Sequence, residues 1–412
     1  MSEWKEYRLG DIVTILGGFA YKGEHIGHGE GLLLGMGCVS FKEKFLMSGA
    51  RPYAGDCAER YYANPGDLVL ATRQQSDNLP ILGMPAIIPQ ELDGKKLIVG
   101  ANLYRVSNNS DFSNKYLYWL LKSNAYVNHI ASCKTGTTVS MITKSNVEDF
   151  VFKAPEKQER ARIVSVLSSL DDKMDLLNRE NVTLEALAET LFRHYFIEDP
   201  DPTWKEGKLG DYVIETIGGE WGTETPEGES GMPVRCLRGA DVADLNDGIA
   251  TRTPLRYVKP SKYEKIKPNN GDIILEISGG TDTCSTGRVA YINEGVKQLF
   301  DYPIVFSNFC RLLRVDERHT FFVYCFFRYL HKQGEFFNLE NGSSGIHNLN
   351  YKAALYEMDW NVPTDEKVVI DFNNQVKPYF DKINANKQQI LALSAQRDAL
   401  LPRLMLGEVK IG

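Results

Sequence analysis

The chain has 412 residues, of which 43% are hydrophobic and 25% are charged, and its formal net charge is −7. This length exceeds one typical core and predicts two or three globular domains. The acidic balance argues against a protein whose whole surface binds nucleic acid. No run approaches the roughly 18 apolar residues of a membrane span, and the first residues lack the basic and apolar regions of a secretory signal. We therefore expect a cytoplasmic location and no membrane partner.

Cysteine and histidine usage predicts neither a disulfide framework nor a metal site. The seven cysteines are odd in number and scattered, and no C-x-x-C pair occurs. Of the seven histidines, His25 and His28 form the one close pair, and no cysteine or carboxylate cluster completes a tetrahedral ligand set. We expect reduced cysteines, no bound metal and no cofactor.

The sequence contains an internal repeat at an offset of about 200 residues. Residues 4–13 read WKEYRLGDIV and residues 204–213 read WKEGKLGDYV. Four further pairs of segments match in the same order: Gly17-Gly18 with Gly218-Gly219, GDLVL from Gly66 with GDIIL from Gly271, NLYR from Asn102 with NFCR from Asn308, and Asp172-Lys173 with Asp381-Lys382. The offset increases along the chain, which indicates one fold used twice with loops of different length.

Each repeat has a globular part and a helical part. Residues 1–155 and 199–363 contain short β-like runs bounded by Gly, Pro and Asn, which predict mixed α/β domains. Residues 156–198 and 364–412 change to a 3.5-residue period, which is typical of long helices that pair. The predicted fold is α+β, with two repeated mixed α/β domains separated by two long helices.

Both helical segments carry their apolar residues with a 4,3 spacing on one face. The first stripe consists of Ile163, Leu167, Leu170, Met174, Leu177, Asn181, Leu184, Ala188, Leu191 and Tyr195. The second stripe consists of Phe372, Val376, Tyr379, Ile383, Asn386, Ile390, Leu393, Arg397, Leu400 and Leu404. Each contains an asparagine of the kind that sets the register of a two-helix seam. We predict an antiparallel coiled coil; the alternative is that each helix lies alone on its own domain.

The sequence lacks the usual signatures of catalysis. No G-x-x-x-x-G-K-[ST] phosphate loop occurs, and neither does the Asn-Pro-Pro or Asp-Pro-Pro aromatic tetrapeptide of DNA methyltransferases. Asp272 and Glu276 lie on one predicted strand like a nuclease metal pair, but Ser278 stands where such sites usually have a lysine. We expect no catalytic residues.

The order of these segments resembles the specificity subunit of type I restriction-modification systems. The resemblance rests on the duplicated WKEYRLGD and WKEGKLGD, on the central helix ending LFRHYFIE (residues 191–198) and on the final helix ending ALLPRLMLGEVKI (residues 399–411). It covers essentially the whole chain. It implies a non-catalytic subunit in which each globular repeat is a target-recognition domain for one half of a bipartite double-stranded DNA target. It also implies that the helices set the spacing and dock two modification (methyltransferase) subunits, which restriction subunits join.

Candidate base-reading residues lie where the two repeats differ, because unrelated half-sites require different contacts on one scaffold. After the matching strands the first repeat continues ATRQQSDN and the second EISGGTDT. Arg73, Gln74 and Gln75 suit bidentate contacts with guanine or adenine. Ser278 and Thr281 suit single contacts, and Gly279 permits close backbone approach. The alternative is an exposed polar turn.

A second pair of loops precedes the helices and offers hydroxyls, amides and basic groups to phosphates or bases. The candidates in these loops are Lys134, Thr135, Thr137, Thr138 and Ser140 in KTGTTVS, and Ser343, Ser344, His347 and Asn348 in NGSSGIHN. Four further basic residues are candidates for phosphate contacts: Lys22, Arg51, Arg235 and Arg238. Such sequences also form ordinary solvated loops.

Two other functions stay open. One is a single-chain DNA-modifying enzyme with diverged motifs, and the other is a coiled-coil scaffold that presents two domains to a non-DNA ligand such as a carbohydrate. The acidic net charge is compatible with DNA recognition if the modification subunits neutralise most of the DNA phosphates. This chain then needs positive charge only locally.

Overall fold

The computed structural model describes residues 4–41, 43–74, 80–136, 139–198, 200–246, 253–281, 284–341, 347–363 and 365–409. The chain forms two compact units. The first unit comprises residues 1–173 and 393–412, and the second comprises residues 174–392. Each unit therefore contains one globular repeat together with a segment of each long helix.

The described part of the first unit is rich in short strands. They are β1 (Lys5–Arg8), β2 (Val13–Gly17), β3 (Ile26–Leu34), β4 (Ala50–Tyr53), β5 (Tyr62–Ala63), β6 (Leu68–Ala71), β7 (Arg73–Gln74), β8 (Pro85–Ile87), β9 (Lys96–Val99), β10 (Leu103–Asn108), β11 (Ser140–Met141) and β12 (Val151–Ala154). The helices are α1 (Leu9–Ile12), α2 (Asn114–Leu120), α3 (Asn124–Cys133), α4 (Lys144–Glu148) and the first part of α5 (Lys157–Arg193). Short 3₁₀ turns lie at Gly23–His25, Met36–Cys38, Met47–Gly49, Glu59–Tyr61 and Gln90–Leu92.

The described part of the second unit has a similar set of elements. Its strands are β13 (Lys205–Gly207), β14 (Val213–Gly218), β15 (Met232–Leu237), β16 (Leu255–Val258), β17 (Ile273–Glu276), β18 (Ser278–Gly280), β19 (Val289–Tyr291), β20 (Ile304–Phe306), β21 (Cys310–Val315), β22 (Glu340–Asn341), β23 (His347–Leu349) and β24 (Trp360–Val362). Its helices are α6 (Gly239–Asn246), α7 (Pro260–Ile266), α8 (Glu294–Lys297), α9 (Thr320–Gln333) and most of α10 (Glu366–Met405). Leu209–Tyr212 and Glu335–Leu339 are 3₁₀ turns, and His194–Glu198 and Ala353–Glu357 are π-helical turns.

The two units contain the same central sheet. Its strand order is β2-β10-β6-β8 in the first unit and β14-β21-β17-β19 in the second, with antiparallel neighbours throughout. A further sheet in each unit contains a parallel pair, β3 with β9 and β15 with β20. β1 pairs with β12, and β13 pairs with β24. The predicted α+β fold with two repeated mixed domains is therefore confirmed.

Glycine and aspartate explain why the central strands begin where they do. Gly66 and Gly271 have φ of 85° and 95°, the left-handed region that favours glycine. The following residues, Asp67 and Asp272, each accept a hydrogen bond from a backbone N–H three residues earlier, at 3.0 Å and 2.7 Å. These turns lead directly into β6 and β17, which lie in the core and are fully buried.

One sequence match is wrong by a single residue. NLYR and NFCR pair Arg105 with Arg311 in sequence, but the strand register places Tyr104 opposite Gly17 and Leu70. The equivalent partners in the second sheet, Gly218 and Leu275, lie opposite Arg311. Tyr104 is therefore the structural counterpart of Arg311, and a one-residue slip in a strand moves a side chain to the other face.

Each unit has its own core, and both long helices contribute to it. In the first unit, Ile163 and Leu167 of α5 and Leu404 of α10 pack in one cluster with Trp119 of α2. In the second unit, aromatic side chains dominate, because the cluster gathers rings from α5, α9 and α10: Phe192, Phe322, Phe326, Phe327, Phe372 and Phe380. The helices are thus held both by each other and by the domain of each unit.

Polar contacts within each unit show that α5 and α10 are antiparallel. In the first unit, Arg397 Nη1 donates to Asp171 Oδ1 at 3.0 Å, and both side chains are buried. In the second unit, Asn386 Nδ2 donates to Asn181 Oδ1 at 2.8 Å. Residue numbers rise along α5 while they fall along α10. The two long helices are therefore packed together with opposite directions.

The two predicted stripes lie on the inner faces of the helices. Their fully buried members are Ile163, Leu167, Met174, Leu177, Asn181, Ala188, Phe372, Val376, Ile383, Asn386, Arg397 and Leu404. Their half-buried members are Leu170, Leu184, Leu191, Tyr379, Ile390, Leu393 and Leu400. At the end of α5 the buried residues are Phe192 and Phe196, whereas Tyr195 is 36% exposed. The buried face drifts because a straight helix turns every 3.6 rather than 3.5 residues, and a π turn follows.

Within the described residues, no helix is at once long enough and apolar enough to cross a membrane.

Candidate nucleic-acid interface

In the first repeat, a short strand pair brings the two predicted loops together. β7 pairs with β11, so that Gln74 lies opposite Ser140 and Arg73 opposite Met141. Thr135 adds a backbone bridge to Met141. The loop after the central strand β6 and the loop before α4 therefore form one continuous surface.

Arg73 and Gln74 face different surroundings although they are adjacent. Arg73 is exposed, whereas the side chain of Gln74 is buried and its Oε1 accepts a hydrogen bond from Leu82 N at 3.2 Å. Of the two, Arg73 is therefore the one whose side chain is accessible to a ligand. Gln75 lies outside the described residues.

The second repeat joins its two loops in the same way. β18 pairs with β23, with Ser278 opposite Asn348 and Gly280 opposite His347. Ser278 is buried, and Gly279 has a φ of 139°, which an L side chain rarely adopts. Ser343 and Ser344 lie outside the described residues. The segment after β17 thus offers close backbone approach rather than long side chains.

A hydrogen-bonded carboxylate orients His347. Its Nδ1 lies 2.9 Å from Oε2 of Glu340, whose side chain is buried. Thr286 donates from its backbone N–H and from Oγ1 to Oε1 of the same carboxylate. Thr281 accepts a hydrogen bond from Cys284 N at 3.1 Å. Glu340 directly precedes the NGSSGIHN loop and Thr286 lies five residues after Thr281, but nothing in the sequence shows that the fold brings these two side chains together.

Tyr104 is a further residue that the sequence did not single out. Its OH donates to Ile142 O at 3.1 Å and so ties β10 to the loop that carries β11. Burial raises the pKa of Tyr104, and the positive charge of Arg73 opposes this rise. The two side chains are therefore close enough to interact electrostatically.

The remaining candidates of the first repeat are exposed. Lys134 follows the last residue of α3, and Thr135 lies beside it. Arg51 lies on β4, and Lys22 Nζ is 3.9 Å from Glu24 Oε1, with both side chains largely exposed. All four are placed where a ligand has access. Thr137 and Thr138 lie outside the described residues.

Arg235 and Arg238 are engaged within their own domain. Arg235 forms a bidentate pair with Asp301 at 2.7 and 2.8 Å, and its third contact is Thr253 O at 2.9 Å. Hydrogen bonds from Arg235 lower the pKa of Asp301. Arg238 forms a bidentate pair with Asp241, at 3.0 and 2.8 Å. Their guanidinium groups are thus less available than that of Arg73.

The carboxylates that resembled a nuclease pair hold structural ion pairs. Glu276 accepts both arms of Arg288, at 2.7 and 2.5 Å, and Asp272 contacts Arg314 at 3.3 Å. Burial raises the pKa of Asp272, while hydrogen bonds from Asn269 and Arg314 oppose the rise. Over the part of the chain that the structure describes, no group of three or more His, Cys, Asp or Glu residues is placed to hold a metal ion.

Comparison with known proteins agrees with a role in DNA recognition. Residues 1–186 match the family model described as the type I restriction modification DNA specificity domain. The chain is 23% identical over 317 residues to the type I restriction enzyme MjaIX specificity subunit of Methanocaldococcus jannaschii, with 72% of this chain and 69% of that protein covered. It is 22% identical to the type I restriction enzyme HindI specificity subunit of Haemophilus influenzae, over 99% and 100% of the two chains.

The fold has a counterpart among solved structures. The type I restriction-modification system S subunit from M. genitalium superimposes with a TM-score of 0.58 at 14% sequence identity, covering 98% of this chain and 96% of that one. Duplicated domains with paired loops, two long antiparallel helices and these relatives lead to one assignment. Residues 1–186 are assigned to the type I restriction modification DNA specificity domain, and the chain as a whole is similar to the specificity subunits of type I restriction-modification systems, a family without catalytic activity of its own.

Proposed function

We propose that residues 1–155 and 199–363 are two target-recognition domains, each of which reads one half of a bipartite double-stranded DNA target. The observation that carries this proposal is the duplicated strand pair, β7 with β11 and β18 with β23. In both repeats it joins the loop after the buried central strand to the loop before the long helix. A scaffold used twice with different side chains at the same place suits the reading of two unrelated half-sites.

The two surfaces offer different chemistry to DNA. The first presents Arg73, whose fork matches the O6 and N7 acceptors of guanine. The second presents His347 and Asn348 beside Gly279, where backbone and short side chains approach the duplex closely. We therefore propose a direct arginine contact in one half-site and a closer, backbone-assisted contact in the other.

The helical segments, residues 156–198 and 364–412, fix the spacing of the half-sites in this proposal. α5 has 37 residues. At about 1.5 Å per residue it is roughly 55 Å long. Half-sites one turn of DNA apart have centres about 34 to 36 Å from each other. A helix of this length, with recognition surfaces of finite width, fits a target with a gap of several base pairs.

We propose two modification (methyltransferase) subunits and further restriction subunits as protein partners, acting with this chain in the cytoplasm. Three apolar side chains that α5 leaves exposed support docking: Leu176, Val182 and Leu187 are 51%, 70% and 45% exposed. Docking of a subunit would join them into the larger apolar surface that is typical of an interface.

The test is methylation of a randomised duplex library by the chain co-expressed with its modification subunit, followed by sequencing of the methylated adenines. We expect a split motif with a fixed gap. Replacing residues 1–155 by the corresponding domain of a related subunit is expected to change one half and leave the other half and the gap unaltered.

Methylation without a motif, or at one continuous motif, contradicts the two-domain proposal. Absence of DNA binding with and without modification subunits favours a scaffold for another ligand. Methylation by the chain alone favours a single-chain enzyme.

A further inference from the structure

The duplicated Gly-Gly at the end of the first sheet strand has no role in the proposed function so far. The second glycine of each pair is needed for packing: a Cβ on Gly18 would overlap with Gly100 O, and a Cβ on Gly219 would overlap with Phe306 O and Ser307 O. The first glycine of each pair, Gly17 or Gly218, has a different neighbour in each repeat.

A cationic side chain lies beside the first glycine in both repeats. A Cβ on Gly17 would lie 3.7 Å from Lys144 Nζ, and a Cβ on Gly218 would overlap with Arg311 Nη1. The cations come from different elements, since Lys144 begins α4 and Arg311 lies on β21. The sheet positions are nevertheless equivalent, because Gly17 lies opposite Tyr104 and Gly218 opposite Arg311. Two unrelated side chains thus place a positive charge at one position of the repeated fold.

These cations lack a carboxylate within the described part of the chain. The half-buried and buried arginines described here form ion pairs with carboxylates, except for Arg105 and Arg311. Arg105 donates to Tyr62 O, and Arg311 lies 5.4 Å from the centroid of the Tyr351 ring; the Nε of each is buried and unpartnered. The ammonium of Lys144 is exposed and forms no ion pair with the described residues. Burying a charge costs free energy unless the charge is paired, so the half-buried Arg311 is a site for an external anion, and the exposed Lys144 is accessible to one.

The position of the two cations indicates which kind of anion they bind. Arg311 lies over Tyr351, two residues after β23 of the recognition surface, and Lys144 lies three residues after β11. Both therefore lie next to the loops that the proposed function assigns to base reading. Phosphates flank every base that such loops reach, and protein cations commonly bind them.

We infer that Gly17 with Lys144 and Gly218 with Arg311 are matched seats for DNA backbone phosphates, one in each target-recognition domain. This inference rests on the proposed function. The glycine leaves the backbone open so that a phosphate oxygen and the cation meet without an intervening side chain. The seats set the register of each domain on its half-site without reading sequence.

The experiment compares K144Q, R311Q and the double variant as complexes with modification subunits. Binding to the wild-type target is titrated by fluorescence anisotropy between 50 and 200 mM salt. Loss of one phosphate contact is expected to reduce the slope of log K against log salt by about 0.9 and to weaken binding about fivefold at 0.15 M salt. The double variant is expected to lose about 30-fold, with unchanged base preference in the methylation assay.

Three further variants separate a phosphate contact from general damage. R311K and K144R keep the charge and are expected to retain the wild-type slope. R256Q removes an arginine of the second repeat that is paired with Glu224 at 3.0 Å, and it is expected to leave affinity and slope unchanged. Thermal unfolding of each variant verifies the fold, and the exposed Lys144 provides a test that does not depend on core packing.

The outcomes distinguish this inference from the proposed function. If the wild-type complex reads a split motif but K144Q and R311Q keep its affinity and slope, the phosphate seats are wrong and the two-domain proposal stands. A changed base preference in either variant also contradicts the assignment, since it indicates a base contact. If the wild-type complex shows no split motif, the proposed function fails first.

Discussion

In the first repeat the central strand is followed by an exposed Arg73 and a buried Gln74, whereas in the second it is followed by a buried Ser278 and two glycines. The sheets beneath them have the same strand order. The difference shows that the fold conserves where the recognition strands pair and leaves open which groups they present. If these surfaces read DNA as proposed, variation of a few surface side chains changes the target without a cost to the core.

The helix pair shows the same contrast: its geometry is shared by the two units, but the polar side chains at the contact differ. In the first unit α5 and α10 meet through a buried ion pair, Asp171 with Arg397, and in the second unit they meet through a buried amide pair, Asn181 with Asn386. Burial raises the pKa of Asp171, while the hydrogen bond from Arg397 opposes this rise. The carboxylate therefore depends on its arginine far more than one amide depends on the other.

The largest expected effect is the loss of stability when Arg397 is substituted. R397A leaves the Asp171 carboxylate buried without its main partner and is expected to lower the free energy of unfolding by about 3 to 5 kcal/mol. N386A removes the hydrogen bonds that Asn386 Nδ2 donates to Asn181 Oδ1 and to Glu180 Oε2, at 2.8 and 2.9 Å, and is expected to cost about 1 to 3 kcal/mol. Urea unfolding followed by circular dichroism measures both.

The double variant D171L/R397M provides the control, because it removes both charges together. It is expected to recover most of the stability that R397A loses. Equal losses for R397A and N386A would contradict the distinction between the two polar contacts.

The sequence predicted much of this frame. Repeats, helix stripes and turn signals led to the correct fold class because they depend on periodicity and on glycine, which act locally. The matched loops were identified as candidate surfaces from their position, and the β7–β11 and β18–β23 pairs join them. The equivalence of β10 and β21 was predicted less well. The arginine shared by NLYR and NFCR favoured an alignment of the two strands that is wrong by one residue.

The contacts that escaped prediction depend on residues far apart in the chain. Leu170 was predicted to lie in the helix seam, but the adjacent Asp171 is the residue that is fully buried. It is buried because its carboxylate forms an ion pair with Arg397 of α10. Gln74 was predicted to read bases, but its amide is turned inward to the backbone of Leu82. Neither a helix period nor a side-chain type shows which partner the fold brings into reach.

The difference between Arg73 and Gln74 gives the next prediction. R73A is expected to cost about 1 to 3 kcal/mol of discrimination at one base pair, in one half of the target only, because it removes an exposed bidentate donor. Q74A is expected to lower the unfolding free energy by about 1 kcal/mol, because Leu82 N loses its acceptor, and to leave base preference unchanged. Library methylation and urea unfolding, applied to both variants, measure the two effects.

Arg51, exposed on β4, provides a matched control for charge. R51A removes one positive charge from the same repeat and is expected to keep the wild-type base preference. Altered preference in both halves for R73A would show that the two recognition surfaces are not independent.

The last expected effect depends on pH and concerns Lys122, which lies two residues after α2 and donates to Tyr118 OH at 3.0 Å. Burial lowers the pKa of Lys122 to about 8, and the positive charge of Arg397 lowers it further. In the unfolded chain a lysine has a pKa of about 10.4. Between pH 8 and 10 the unfolded state therefore binds more protons than the folded state, so stability rises with pH, whereas below pH 8 both states are protonated and the slope disappears.

K122M is expected to remove this rise, which amounts to at most about 1.4 kcal/mol per pH unit. The measurement is the difference in unfolding free energy between wild type and K122M at pH 7, 8, 9 and 10. K332M, which removes an exposed ammonium paired with Glu189 in the second repeat, is expected to retain the rise. The same slope in K122M and wild type would show that the rise arises from another group. A slope confined to Lys122 would show that the first repeat holds a lysine whose protonation opposes folding, whereas the exposed Lys332 of the second repeat keeps its charge in water.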